Sequence, residues 1–101
     1  MTSAPPPKLS VIGTGYLGAV HAACMANFGF DVIGVDVDQR KIDQLIEGKP
    51  PFYEPELPEI LTAALDSGRL TFTTDLAQAA AFADVHFICV GTPQSANSNA
   101  A

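Results

Sequence analysis

The segment GTGYLG, from Gly13 to Gly18, carries glycine at its first, third and sixth positions. In such a motif the first glycine permits a tight turn, the second lets a pyrophosphate approach the backbone, and the third lets a helix pack closely on a strand. The segment follows a predicted strand and opens a predicted helix, as a dinucleotide site requires. A glycine-rich turn without a ligand is the alternative. We predict that the whole loop contacts a dinucleotide: Gly13, Thr14, Gly15, Tyr16, Leu17 and Gly18.

A carboxylate follows at the end of the second predicted strand, where Asp36 lies 18 residues after Gly18. At that place a carboxylate accepts hydrogen bonds from the adenosine ribose hydroxyls and repels a 2′-phosphate, which favours NAD over NADP. Arg40 and Lys41 keep NADP open as an alternative, because a nearby cation can accept the phosphate. Asp38 is interpreted as a helix cap.

The fourth predicted strand ends in the turn VGTP, which consists of Val90, Gly91, Thr92 and Pro93. In the expected strand order, strands one and four are neighbours, and ligands bind in the crevice between their carboxyl ends. Pro93 fixes the turn, and the hydroxyl and backbone of Thr92 can reach the ribose or the phosphates of the cofactor. We therefore include these four residues in the predicted cofactor site.

Other residues with reactive side chains have simpler interpretations: Cys24, Cys89, His21, His86, Glu54, Glu56 and Glu59. The two cysteines lie in apolar runs without metal-ligand spacing, which indicates buried thiols in a reducing compartment. The histidines have no partner at catalytic spacing and are interpreted as packed or surface residues. The glutamates are interpreted as polar residues at a helix start. The sequence thus predicts no metal site and no catalytic residue.

Apolar runs alternate with helical patterns along the chain. Strands are predicted at 8–13, 31–36, 69–74 and 84–90, and helices at 16–28, 38–47, from Pro55 to Ser67-Gly68, and from Thr74 or Asp75 to Ala83. This alternation predicts an α/β fold, a partial Rossmann fold whose parallel sheet of about four strands has the order 3-2-1-4. The first helix is expected to bury Leu17, Val20, Cys24 and Phe28, and the second Ile42, Leu45 and Ile46.

Composition and charge limit the class of protein. The 101 residues suffice for one domain, and 48% hydrophobic with 16% charged residues indicate a buried core. The net charge of −6 and scattered basic residues argue against a nucleic-acid partner. The polar segment 1–7 is expected to be a flexible tail ahead of a dinucleotide-binding domain at 8–101. This tail lacks the charged start of a signal peptide, and the apolar run after Lys8 is broken by Gly13, Gly15 and Gly18, so it is neither a signal peptide nor a membrane span. A cytoplasmic protein without a membrane partner is therefore expected.

Three segments together resemble the UDP-glucose/GDP-mannose dehydrogenase family: GTGYLG, GVDVDQRKIDQLIEGKPPFYEPELPEIL and SGRLTFTTDLAQAAAFADVHFICVGTPQ. The resemblance extends from about Lys8 to the last residue. The FYEP-L pattern is much more specific than the glycine motif, although Glu56 stands where the family usually has glycine. The proline-rich stretch is thus interpreted as a family insertion that leads into an extra helix and shapes the cofactor-side rim.

The resemblance implies an enzyme that oxidises the C6 hydroxyl of a nucleotide sugar twice, to the carboxylate, with two NAD⁺. UDP-glucose is favoured as the substrate, with GDP-mannose or UDP-N-acetylmannosamine as alternatives. By the same resemblance, Leu17, Asp36, Lys41 and Thr92 match the cofactor contacts of the family.

The resemblance also implies a catalytic cysteine and lysine in a later CFPKD-type segment, which this sequence lacks. The chain is accordingly expected to be the N-terminal part of the NAD-binding domain of a longer, homo-oligomeric enzyme, and to be inactive alone. Two alternatives are a non-catalytic module that serves as a fold or interaction unit, and a different NAD-dependent dehydrogenase that shares only the Rossmann half.

Overall fold

The computed structural model describes residues 6–49 and 55–89, which form four strands and four helices. In chain order these are β1 (Leu9–Ile12), α1 (Tyr16–Phe28), β2 (Val32–Val35), α2 (Gln39–Ile46), α3 (Leu57–Asp66), β3 (Leu70–Thr73), α4 (Leu76–Phe82) and β4 (Val85–Ile88). The strands form one parallel sheet in the order β3-β2-β1-β4. The predicted partial Rossmann fold and strand order are therefore confirmed, with each strand slightly shorter than the sequence pattern indicated.

The strand register brings the carboxyl ends of the central strands to one edge of the sheet. Ile12, the last residue of β1, is paired with Val35 of β2 and with Ile88 of β4. Because parallel strands all run the same way, the segments that leave β1 and β2 emerge side by side. This edge is the part of the fold that positions the candidate site.

The helices cover the sheet on two faces. On one face α1, α2 and α3 bury the larger core, which includes Leu9 and Val11 of β1 and Leu61 of α3. On the other face α4 covers a smaller cluster that contains Ile33, Val35 and Ala79. The central strands β1 and β2 are thus covered on both sides, as strands of parallel sheets usually are.

The buried face of α1 differs from the face that the sequence predicted. Leu17 and Phe28 are 74% and 80% exposed, and Val20 and Cys24 are only half-buried. The buried positions are small: Gly18, Ala19, Ala22, Ala23 and Ala26. Small side chains let α1 lie close to β1, β2 and α3, with which it packs. The large apolar residues therefore cannot point into this narrow space. Similarly, Ile46 of α2 is half exposed instead of buried.

The helix termini follow the capping pattern in the sequence with one exception. Asp38 caps α2 by accepting hydrogen bonds from the backbone N–H groups of Arg40 and Lys41, and Asp75 caps α4 in the same way. The exception is α3, which begins at Leu57, so that Pro58 and not Pro55 lies in its first turn. A proline is tolerated there because the N–H groups of a first turn have no partner within the helix.

Gly18 and Gly15 have different structural environments although they belong to one motif. A Cβ atom on Gly18 would overlap the carbonyl oxygen of Gly13 and lie 3.0 Å from its carbonyl carbon. A Cβ atom on Gly15 would have no other heavy atom within 4 Å among the described residues. Gly18 is therefore required for packing, whereas Gly15 leaves open space in front of the backbone.

These two environments predict different effects of an alanine substitution on stability. Gly18→Ala should lower the free energy of unfolding by about 1–3 kcal/mol, because α1 must move away from the β1 turn. Gly15→Ala should change it by less than about 1 kcal/mol, because no atom has to move. Urea unfolding of the two variants, followed by circular dichroism, measures both. A Gly18→Ala protein as stable as the Gly15→Ala control would contradict the packing role.

Candidate dinucleotide site

The loop between β1 and α1 makes a tight turn at the carboxyl edge of the sheet. Gly13 has a φ of 98°, in the left-handed region that favours glycine. Its N–H donates to the carbonyl oxygen of Val35 over 2.8 Å, which ties the loop to the end of β2. The residues that follow, Thr14 and Gly15, then lead directly into the first turn of α1.

The start of α1 is not neutralised by side chains, in contrast to two other helices. Gly15 is the N-cap, no side chain makes a capping hydrogen bond there, and no acidic residue occupies the first turn. The starts of α2 and α4 are capped by the carboxylates of Asp38 and Asp75. A helix start carries a partial positive charge and outward-pointing N–H groups, which suit a phosphate. The glycine motif thus leaves this charge available to an anion.

The carboxylate of Asp36 accepts four hydrogen bonds at the end of β2. Its Oδ2 atom accepts from the backbone N–H of Thr14 (3.0 Å), the Thr14 hydroxyl (3.1 Å) and the Lys41 ammonium (3.2 Å). Its Oδ1 atom accepts from the backbone N–H of Asp38 over 3.0 Å. The side chain of Asp36 is only 10% exposed, and that of Lys41 30%. The carboxylate is therefore held in one orientation beside the glycine loop.

These contacts determine the protonation state of Asp36. Burial by itself would raise the pKa of the Asp36 carboxyl, but the hydrogen bonds outweigh burial and lower the pKa below its ordinary value. The lowering contacts are, in order, the N–H groups of Asp38 and Thr14, the Lys41 ammonium and the Thr14 hydroxyl. Asp36 is thus an anionic acceptor throughout the physiological pH range.

A small apolar cavity opens next to Asp36 at the same edge of the sheet. Its lining residues come from the ends of β1 and β2 and from the segment between β3 and α4: Ile12, Gly13, Val35, Asp36, Val37, Thr74 and Leu76. A cavity with apolar walls and one charged group at its rim suits a flat, mostly apolar ring that carries a polar substituent.

The structure brings most of the predicted site residues to one edge of the sheet. The loop from Gly13 to Gly18, Asp36 and Lys41 lie around the start of α1 and the end of β2. Within this group Leu17 points outward, and Tyr16 lines a second cavity with Glu56 and Leu57 at the start of α3. The predicted turn Val90, Gly91, Thr92 and Pro93 lies outside the described residues, as does the FYE part of the proline-rich stretch.

Two contributions were not foreseen from the sequence. The pattern GxGxxG contains no information about Thr14, although this residue makes two of the four hydrogen bonds to Asp36. The sequence pattern places Thr74 at a strand end or a helix start and gives Leu76 no role in a site, yet both residues line the cavity. Both contributions come from contacts between residues that are far apart along the chain, so no local sequence pattern indicates them.

The cysteines and histidines neither bond to the Asp36 carboxylate nor line the cavity beside it, although the N–H of Cys89 donates to the carbonyl oxygen of Ile12 over 2.7 Å. Cys24 and Cys89 are free and half-buried, so they are less buried than predicted. The His21 ring packs edge-on against Phe87 with ring centroids 4.6 Å apart, and His86 forms a hydrogen bond with Ser10. Within 6–49 and 55–89, no three His, Cys, Asp or Glu side chains form a group that could hold a metal ion. No helix in these ranges is long and apolar enough to cross a membrane.

The lowered pKa of Asp36 predicts a dependence of stability on pH. A carboxyl whose pKa is lowered by folding contributes stability above its unfolded pKa, about 3.9, and loses it as the pH falls through the folded value. We expect the difference in unfolding free energy between wild type and Asp36→Asn to be constant near neutral pH and to shrink below about pH 4. Urea titrations from neutral pH to about pH 3 measure this. A difference that stays constant over the whole range would contradict the charged role of Asp36.

Comparison with known proteins agrees with this geometry. Residues 7–101 match the family described as UDP-glucose/GDP-mannose dehydrogenase family, NAD binding domain. The chain is 50% identical over 86 residues to UDP-glucose 6-dehydrogenase of Pseudomonas aeruginosa, and 47% identical over 92 residues to GDP-mannose 6-dehydrogenase of the same species. These alignments cover 85% and 91% of the chain but 19% and 21% of the relatives.

Comparison with solved structures indicates the same family. The fold resembles that of a UDP-glucose dehydrogenase from Pyrobaculum islandicum, with a TM-score of 0.83 and 44% identity. That alignment covers 90% of the chain and 22% of the neighbour. The chain therefore spans about a fifth of the length of the relatives that it matches. The family assignment confirms the predicted resemblance and NAD as the cofactor, and the chain belongs to the NAD-binding domain of the UDP-glucose/GDP-mannose dehydrogenase family.

Proposed function

We propose that the chain is the NAD-binding portion of an enzyme that oxidises UDP-glucose to UDP-glucuronate with two NAD⁺. The observation that carries this proposal is the fixed carboxylate of Asp36 beside a helix start that has no side-chain cap. An acceptor for ribose hydroxyls and a positive site for phosphates lie together here, as adenosine diphosphate requires. When bound, NAD⁺ supplies the hydride acceptor for the oxidation of the sugar.

Each part of the dinucleotide has a proposed contact. The diphosphate lies against the backbone at Gly15, where no Cβ atom blocks its approach. The adenosine ribose donates its hydroxyls to Asp36, and Lys41 supplies a donor beside it. The adenine ring enters the cavity between Ile12 and Leu76. From the sequence we also propose that residues 90–93, which follow β4, contact the dinucleotide.

The charge distribution supports NAD rather than NADP. Asp36 offers an acceptor and a negative charge at the position that a 2′-phosphate would occupy. The ammonium of Lys41 lies 3.2 Å from Asp36 and is thus already paired with an anion. Arg40 is exposed at the start of α2, and its backbone N–H rather than its guanidinium makes the described contact with Asp38. Lys41 is therefore occupied by Asp36, and a 2′-phosphate would have to be accepted by the exposed Arg40 beside the negative charge of Asp36.

The nucleotide sugar is a separate proposal. UDP-glucose is the substrate that we propose, and GDP-mannose is the second candidate because relatives of both names align at similar identity. Comparing kcat/KM for both sugars in the longer polypeptide that contains this segment decides between them. A preference for GDP-mannose would overturn the substrate and leave the cofactor proposal intact. We further propose that this polypeptide is cytoplasmic and homo-oligomeric.

The first prediction from this proposal concerns the cofactor. Isothermal titration of the chain should show tighter binding of NAD⁺ than of NADP⁺. Asp36→Ala should weaken NAD⁺ binding by about 1–3 kcal/mol, because hydrogen bonds to a charged acceptor are lost. Asp31→Ala is a matched control, since Asp31 precedes β2 at the opposite edge and pairs with Arg69. Equal or tighter binding of NADP⁺, or equal loss in the control, would contradict the proposed role of Asp36.

The second prediction concerns catalysis by the 101 residues alone. No cysteine or lysine in them matches the catalytic CFPKD-type motif, and a thioester intermediate requires a thiolate nucleophile. The purified chain should therefore produce no NADH from UDP-glucose or GDP-mannose and NAD⁺. Absorbance at the NADH band, compared with a control without sugar, measures this. Sustained NADH formation would mean that a catalytic residue lies within this chain.

A further inference from the structure

Thr14 makes two hydrogen bonds to the Asp36 carboxylate, more than any other described residue. Both its backbone N–H and its hydroxyl donate to the same atom, Oδ2 of Asp36, at 3.0 and 3.1 Å. The two residues are 22 positions apart and belong to different strand ends. Thr14 therefore links the glycine loop directly to Asp36, the acidic residue that follows β2.

The hydrogen bonds are distributed unequally over the two carboxylate oxygens. A carboxylate has about four acceptor positions, two on each oxygen. Oδ2 receives three donors, from Thr14 twice and from Lys41, while Oδ1 receives one, from Asp38. Oδ2 is thus saturated, and Oδ1 is the oxygen that retains capacity for a donor from outside the chain.

The surroundings of Thr14 prevent it from turning away. Thr14 is completely buried. A Cβ atom on Gly34 would lie 3.3 Å from Cγ2 of Thr14, so the methyl group packs directly over β2 where a glycine leaves room. A β-branched side chain with its methyl group held in this way has a fixed χ1, which directs the hydroxyl to Asp36.

We propose that Thr14 is a positioning residue for the dinucleotide, which holds Asp36 so that Oδ1 faces the adenosine ribose. The inference rests on the proposed NAD-binding function and extends it to a residue that the glycine motif leaves unspecified. Without the hydroxyl, Oδ2 of Asp36 keeps only the Thr14 N–H and the Lys41 ammonium as donors, so the carboxylate can rotate further toward Lys41. A rotated carboxylate presents less of its negative charge to the ribose and discriminates less against a 2′-phosphate.

The central test compares Thr14→Val with Thr14→Ser in the intact chain. Valine keeps the shape and removes the hydroxyl, whereas serine keeps the hydroxyl and removes the methyl group. Isothermal titration should show NAD⁺ binding about tenfold weaker in Thr14→Val, since a hydrogen bond to a charged group is lost, and within about threefold of wild type in Thr14→Ser. The preference for NAD⁺ over NADP⁺ should fall in Thr14→Val only. Thr14→Ala serves as a second variant without the hydroxyl if Thr14→Val does not fold.

Two further measurements separate positioning from a general loss of structure. Without NAD⁺, an NMR titration should find a higher pKa for the Asp36 carboxyl in Thr14→Val than in wild type and Thr14→Ser, because one donor to the carboxylate is missing. In an Asp36→Ala background, Thr14→Val should cause little additional loss of NAD⁺ affinity, because Thr14 acts through Asp36.

The outcomes distinguish this inference from the proposed function. If wild type binds neither dinucleotide, the proposed function fails, and an unchanged Asp36 pKa in Thr14→Val would overturn the positioning role as well. If wild type binds NAD⁺ and Thr14→Val binds it equally well, the inference on Thr14 is wrong while the proposed function stands. A full additional loss in the Asp36→Ala background would also overturn it.

Discussion

The hydrogen-bonded, largely buried carboxylate of Asp36 is the feature on which the geometry of this edge depends. Its donors come from three separate places: the loop after β1, the segment after β2, and the first turn of α2. A buried anion is costly unless each oxygen is hydrogen-bonded, so the three segments are constrained to converge on it. The same contacts keep the carboxylate ionised and oriented before any ligand arrives, which lowers the entropy that binding must remove.

A second constraint is the close approach of α1 to the sheet. Gly18 lies against the carbonyl of Gly13, so α1 begins immediately over the turn that follows β1. The alanines further along the helix continue this close contact with β1, β2 and α3. The start of α1, which has no side-chain cap, therefore lies directly beside the turn that follows β1. The placement of α1 that the small residues allow is thus the same placement on which the proposed phosphate contact depends.

The sequence predicted the parts of the molecule that depend on local patterns. Short apolar strands and helix caps such as Asp38 are encoded by neighbouring residues, so the element order and the strand order could be predicted. The prediction of the buried face of α1 was wrong. Hydrophobicity favoured Leu17 and Phe28, whereas the short distance between the helix and the sheet admits only glycine and alanine. The link from Thr14 to Asp36 could not be predicted. It depends on how the turn after β1 orients Thr14 toward a residue 22 positions further along the chain.

The pairing of Asp36 with Lys41 affects how this edge can select a ligand. The two opposite charges lie 3.2 Å apart, so their summed charge beyond a few ångströms is small. Long-range repulsion of a 2′-phosphate is therefore weak. Salt weakens it further, because interactions between exposed charges are largely screened beyond about 10 Å. Selection has to come from contact: a hydroxyl can donate to Oδ1 of Asp36, whereas a phosphate oxygen cannot. If Asp36 binds the ribose as we propose, the orientation of the carboxylate, more than its charge alone, determines which dinucleotide fits, and the contacts that fix this orientation serve recognition.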